Sequence, residues 1–118
     1  GICIFIDYGY NKKLKNFTLQ AIYKHKKTSI FENIGKQDIS SHVNFNELIE
    51  IAKQNKLQIN EFVTQRDFLL KYGILERKKK LLTKNSNINK NLLDEEVDRL
   101  INVDRMGKLF KFLVVSNL

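Results

Sequence analysis

The 118 residues contain no proline and no tryptophan, and the sole cysteine is Cys3. One thiol excludes an internal disulfide framework, and with only two histidines, His25 and His42, it also excludes a structural zinc site of the cysteine-rich kind. No apolar run approaches the ~18 residues that would span a bilayer. Ile2–Ile6 has no basic residues before it and no small-residue cleavage site after it, so it does not read as an export signal. The chain is therefore expected to be soluble and cytoplasmic, with no membrane insertion. Glycine is scarce too: Gly1, Gly9, Gly35, Gly73 and Gly107 each stand alone. A phosphate cradle or dinucleotide turn needs closely spaced glycines so that backbone can approach the ligand. No cofactor-binding residue is expected within this chain, and no metal site.

What is present suits a small globular unit, since 42% of the residues are hydrophobic. Lys and Arg number 21 against 13 Asp and Glu, a net charge of +8. Only Arg66, Arg77, Arg99 and Arg105 are arginines, whereas nucleic-acid surfaces favour arginine for bidentate phosphate and base contacts. The densest cluster, Arg77-Lys78-Lys79-Lys80, has no interleaved aromatics to stack bases and reads as a solvated helix face. Nucleic acid is thus not the expected partner. The alternative from another class is a basic, non-catalytic module binding RNA or an acidic protein, which a steep salt dependence would reveal.

Ile2–Ile6, closed by Asp7-Tyr8-Gly9-Tyr10, predicts a strand buried on both faces, as in a parallel α/β sheet. Residues 11–41 are polar and weakly periodic, with at most a short helix around Leu19–Tyr23, and form a long loop. Phe45, Leu48, Ile49 and Ala52 share one helical face behind the cap Asn44 and its box partner Glu47, predicting a helix from 45 to about 55. A strand over 57–63 follows, then a second capping pair, Thr64 and Asp67, opening a helix over about 65–82 that breaks at Gly73. After a polar loop at 85–89, Leu93, Val97, Leu100 and Ile101 mark a helix with Asp94, Glu95 and Glu96 in its first turn. A turn at Met106-Gly107 leads into a terminal strand over 109–116.

Asp7 sits at the carboxyl end of the first strand, where open α/β sheets place ligands, though Asp and Gly also build ordinary exit turns. As a metal ligand for nuclease chemistry it would need converging carboxylates, and Glu32 and Asp38 are the nearest candidates. Tyr23, His25, Gln37, Asp38 and His42 in the long loop can donate, accept or move protons near neutral pH. Cys3, inside an apolar strand, reads as a packing residue.

In series, these pieces resemble the MidA family of S-adenosylmethionine-dependent methyltransferases. The resemblance is carried by Ile6-Asp7-Tyr8-Gly9-Tyr10, by Thr18-Leu19 with Tyr23 and His25, and by the run from Gly35-Lys36-Gln37-Asp38-Ile39-Ser40-Ser41-His42 to Phe45. It continues through Thr64-Gln65, Phe68-Leu69-Leu70, Gly73-Ile74, Met106-Gly107 and Phe110-Lys111. Gln20, Ile34, Ser40 and Asn44 depart from the family pattern.

The resemblance implies an α/β fold, the C-terminal part of a class I (Rossmann-like) methyltransferase. Its three strands would carry the last one antiparallel between the other two, with flanking helices. Residues 1–118 would then be the C-terminal portion of one domain whose N-terminal cofactor-binding half is absent, a reading that the start on Gly1 without methionine also suggests. The implied activity is protein-arginine methylation with S-adenosylmethionine, a complex I subunit being the expected substrate, and a lone split or truncated product would be inactive. Asp7, Tyr8 and His25 become catalytic candidates. Gly9, Tyr10, Tyr23, Gln37, Asp38 and His42 become substrate-binding candidates, with 11–44 as a substrate lid. The expected partners are the missing N-terminal half or a second copy, engaged through an exposed sheet edge.

Overall fold

The Ile2–Ile6 run forms a strand, and the strand continues past it: β1 spans Ile2–Tyr10. In this computed structural model, which describes residues 1–12, 17–84 and 87–117, the expected long loop carries a small sheet of its own. Strands β2 (Gln20–Tyr23), β3 (Lys26–Thr28) and β4 (Asp38–Ser40) form an antiparallel sheet in the order β3-β2-β4. The short helix expected at Leu19–Tyr23 is therefore strand β2. Residues 13–16 of that loop, and 85–86 of the later polar loop, lie outside the described residues.

The β2–β3 hairpin turns through two residues, Lys24 and His25, between the paired Tyr23 and Lys26. Both have positive φ, 48° and 63°, the twist that two-residue hairpin turns require and that side chains resist. Replacing Lys24-His25 by Asn-Gly should slow amide exchange across β2 and β3 about fivefold, equivalent to about 1 kcal/mol. Unchanged or faster exchange would mean that the turn does not hold these left-handed conformations.

Strand β5 (Val43–Asn44) leads into α1 (Phe45–Gln54), where the Asn44 side chain accepts the Glu47 N–H at 3.4 Å, as its capping pattern requires. Strand β6 (Gln58–Thr64) ends at the second cap, with Thr64 Oγ1 accepting the Asp67 N–H at 3.2 Å. Gly73, at φ 87°, separates α2 (Gln65–Lys71) from α3 (Ile74–Lys84). Helix α4 (Lys90–Ile101) starts behind Asn89, whose side chain accepts the Leu92 N–H. Asp94, Glu95 and Glu96 consequently lie one turn further in than expected, and the first turn carries no acid. The chain then turns into β7 (Phe110–Ser116).

The main sheet has the order β5-β1-β7-β6. Strand β7 is antiparallel to both β1 and β6, and β5 joins the outer edge of β1 in parallel at Gly9 and Tyr10. On one face α1 packs Phe45 and Ala52 against Leu113 and Val115, with Leu48, Ile49, Leu57, Ile59 and Phe62 around them. On the other face, α2 sets Phe68 against Phe112 with ring centroids 4.2 Å apart. Gln65 Nε2 and Arg66 Nη1 donate to the Leu100 and Ile101 carbonyls, both at 2.8 Å, satisfying acceptors at the C-terminal end of α4.

Burial on both faces fails for β1. Ile2, Ile4, Phe5 and Ile6 are 65%, 48%, 46% and 52% exposed, and Cys3 is exposed rather than packed. The residues themselves suit a covered strand. Burial, however, depends on how many elements surround a strand, and outward of β1 only the two residues of β5 follow among the described residues. The radius of gyration, 18.0 Å, exceeds the ~13–14 Å of a compact domain of this length, as an open slab with an uncovered flank would.

Candidate functional site

At the carboxyl end of β1 the chain runs tightly against α1. A Cβ on Gly9 would overlap the Phe45 ring and stand 2.6 Å from the Val43 carbonyl oxygen, so only glycine lets β1, β5 and the first turn of α1 meet here. Gly9 pairs with Val43 and Tyr10 with Asn44. This closure fixes the direction in which the residues before it project.

Alternation divides those residues between the faces. Asp7 is paired with Lys111 on the α1 face. Its Oδ1 accepts the Tyr8 N–H at 2.7 Å, which orients the carboxylate. Burial lowers the Lys111 pKa from the ordinary lysine value, and the ammonium donates to the Lys108 carbonyl. Tyr8 lies on the other face, 4.0 Å from the Phe110 ring centroid and stacked at 6.3 Å on His42. The His42 N–H in turn donates to Thr18 Oγ1 at 3.0 Å.

The structure thus brings Asp7, Tyr8, Gly9, Tyr10 and His42 to one strand end. The other candidates lie in the β3-β2-β4 sheet. Tyr23 ends β2, where Lys24 Nζ stands 5.3 Å from its ring centroid, and His25 is at the hairpin tip. Gln37 is a tie within its own segment: it accepts from Thr28 Oγ1 at 2.7 Å and donates to the Ser29 and Ile30 carbonyls at 3.0 and 3.1 Å. Asp38 faces Ile22 across the β2–β4 ladder. Asp7, Glu32 and Asp38 do not converge, and no metal-holding cluster of His, Cys, Asp or Glu forms among the described residues.

Lys111, Phe110 and Phe45 were not singled out for the site by sequence reasoning. Phe110-Lys111 was visible as a motif opening the last strand. Only the antiparallel register, which sets Phe110 beside Tyr8 and Lys111 beside Asp7, makes them neighbours of the candidates.

A family model described as "Putative S-adenosyl-L-methionine-dependent methyltransferase" matches residues 1–63. The chain is 31% identical over 117 residues to protein arginine methyltransferase NDUFAF7, mitochondrial, of Danio rerio, covering 99% of this chain and 27% of that protein. It is 32% identical to the Xenopus tropicalis protein of the same name, covering 98% of this chain and 26% of that one. A crystal structure from Burkholderia thailandensis superposes with a TM-score of 0.89 at 27% identity, over 99% of this chain and 33% of that one. A second from the same organism and superfamily, bound to S-adenosyl-homocysteine, gives 0.86 at 27% identity, over 99% of this chain and 32% of that one. The chain spans about a quarter of the length of these curated relatives.

The relatives are named mitochondrial, which bears against a plainly cytoplasmic location. Among the described residues no helix is long and apolar enough to cross a membrane. The strand-end glycine where backbone could approach S-adenosylmethionine is Gly9, and its open side is filled by the Phe45 ring and the Val43 carbonyl.

Proposed function

The chain belongs to a family of S-adenosyl-L-methionine-dependent methyltransferases, and from that premise we propose that it forms the substrate-facing, C-terminal part of a protein-arginine methyltransferase, the cofactor being held by residues other than those described here. The observation that carries this is the combination of a close fit to a third of a solved relative with a β1 flank left uncovered. The Ile2–Ile6 edge and the face bearing Ile2, Ile4, Ile6 and Tyr8 would receive either the remainder of the methyltransferase or a second copy. In this reading the substrate is a protein of respiratory complex I, as the resemblance implies.

Asp7 is the favoured catalytic residue. Its position at the strand exit, with Oδ1 engaged by the Tyr8 N–H and Oδ2 left to accept, supports holding a guanidinium by charge-assisted hydrogen bonds. Tyr8 and His42 form an aromatic pair on the opposite face of the strand, while Gly9 and Tyr10 fix the strand end. Tyr23, His25, Gln37 and Asp38, on the smaller sheet, are assigned to a lid, with His25 at its tip.

The test is calorimetric titration of S-adenosylmethionine into the isolated chain, after circular dichroism has established that it is folded. No heat of binding and no methylation of arginine peptides are expected from the folded chain alone. Stoichiometric cofactor binding would overturn the division of labour proposed here.

A further inference from the structure

We propose that the cleft between α3 and α4 binds a single-chain amphiphile with a phosphate head. Helix α3 has no buried residue, although apolar positions recur along it. Between it, α2 and α4 lies a cavity of about 340 Å³ whose floor is Leu69, Ile74, Leu81, Leu93, Val97 and Leu100. That volume is within the range of small-molecule sites, and the lining has their character, apolar with few polar groups.

A second hollow of about 550 Å³ adjoins it, sharing Tyr72, Gly73, Arg77 and Leu81. The rim of this hollow carries Arg77, Lys80 and Lys84 at helical spacings of three and four, which places the three cations on one side of α3. Glu76 and Glu96 also border the two hollows. Lys78 is engaged with Asp94 at 2.6 Å, an ion pair that ties α3 to α4. Arg77, Lys80 and Lys84 have no ion-pair partner among the described residues.

An apolar pocket opening at Arg77 onto a three-cation rim matches an acyl or alkyl chain joined to a dianion. The chain displaces water from the leucine-lined floor. The guanidinium takes two phosphate oxygens while the lysines supply point charge. The basic cluster, a plain solvated face when read from sequence, thus gains a ligand. The proposal stands apart from the methyltransferase reading, because none of its residues lies at the β1 strand end.

The probe is n-decyl phosphate, kept below its micelle concentration and titrated by calorimetry and methyl-resolved NMR. Saturable one-to-one binding is expected, with shifts at the Leu93 and Val97 methyls. Arg77→Glu should weaken it about tenfold or more. Lys79→Glu makes the same charge change on the opposite side of α3 and should alter affinity less than about twofold. Both residues are exposed, so neither variant endangers the fold. Absence of saturable binding would overturn the proposal. So would an equal loss in the two variants, or inorganic phosphate binding as tightly as the decyl ester, since the apolar cleft would then contribute nothing.

Discussion

Gly9→Ala should destabilise the chain by about 2–3 kcal/mol, a large effect for one methyl group. The added carbon would overlap the Phe45 ring and press on the Val43 carbonyl oxygen, and neither neighbour can move away freely. Phe45 is fully buried at the centre of the α1 core, and Val43 is held in the β1–β5 pair. Phe45→Ala alone should cost about 3–5 kcal/mol through lost burial and the cavity left behind. The informative protein is the double variant. With the ring removed, the alanine methyl enters vacated space, so the combined loss should fall short of the sum by about 1–2 kcal/mol. Full relief is not expected, because the Val43 oxygen remains 2.6 Å from the new carbon. Urea denaturation of the four proteins measures this cycle. Strict additivity would show that the ring does not confine Gly9, and would remove the closure that sets the direction of Asp7 and Tyr8.

The parts of this fold that could be read from sequence are those with local causes. Asn44 before Phe45 and Thr64 three residues before Asp67 specify helix starts through hydrogen bonds spanning a few residues, and the structure makes both. Gly73 breaks a helix because its own φ is positive. Strands β2, β3 and β4 carry no legible period because they are three or four residues long, and Lys24-His25 lacks the Asn-Gly signal of a two-residue turn. Strand propensity acts through neighbours, and in such short strands the neighbours are the whole signal. The central antiparallel position of β7 was not in the periodicity at all. It was implied by the family resemblance and is present in the sheet order. The candidate site divides in the same way. Asp7-Tyr8-Gly9-Tyr10 shows as the exit of an apolar run, whereas the approach of Lys111 to Asp7 and of Phe110 and His42 to Tyr8 comes from register between distant segments.

Val114→Lys should cost about 3 kcal/mol or more, whereas Ile4→Lys in the isolated chain should stay within about 0.5 kcal/mol of the parent. The two positions are register partners on one face of the main sheet, so strand geometry and residue type do not separate them. Cover does: Val114 is 9% exposed on the face against which α2 packs, while Ile4 is 48% exposed. A lysine at 114 must bury its ammonium without a partner or push α2 off the sheet. At 4 its stem can lie along the apolar stripe with the charge in water. The pair of variants therefore measures how much of the sheet this chain covers by itself. Under the proposed function, Ile4→Lys becomes costly only when the rest of a methyltransferase or a second copy is docked, and it should then weaken that association by about tenfold or more. Equal destabilisation by both lysines in the chain alone would mean that the β1 stripe is already covered. Sedimentation of the parent chain would then distinguish a second copy, at twice the mass, from cover within one chain, and the latter would leave the β1 flank with no docking role.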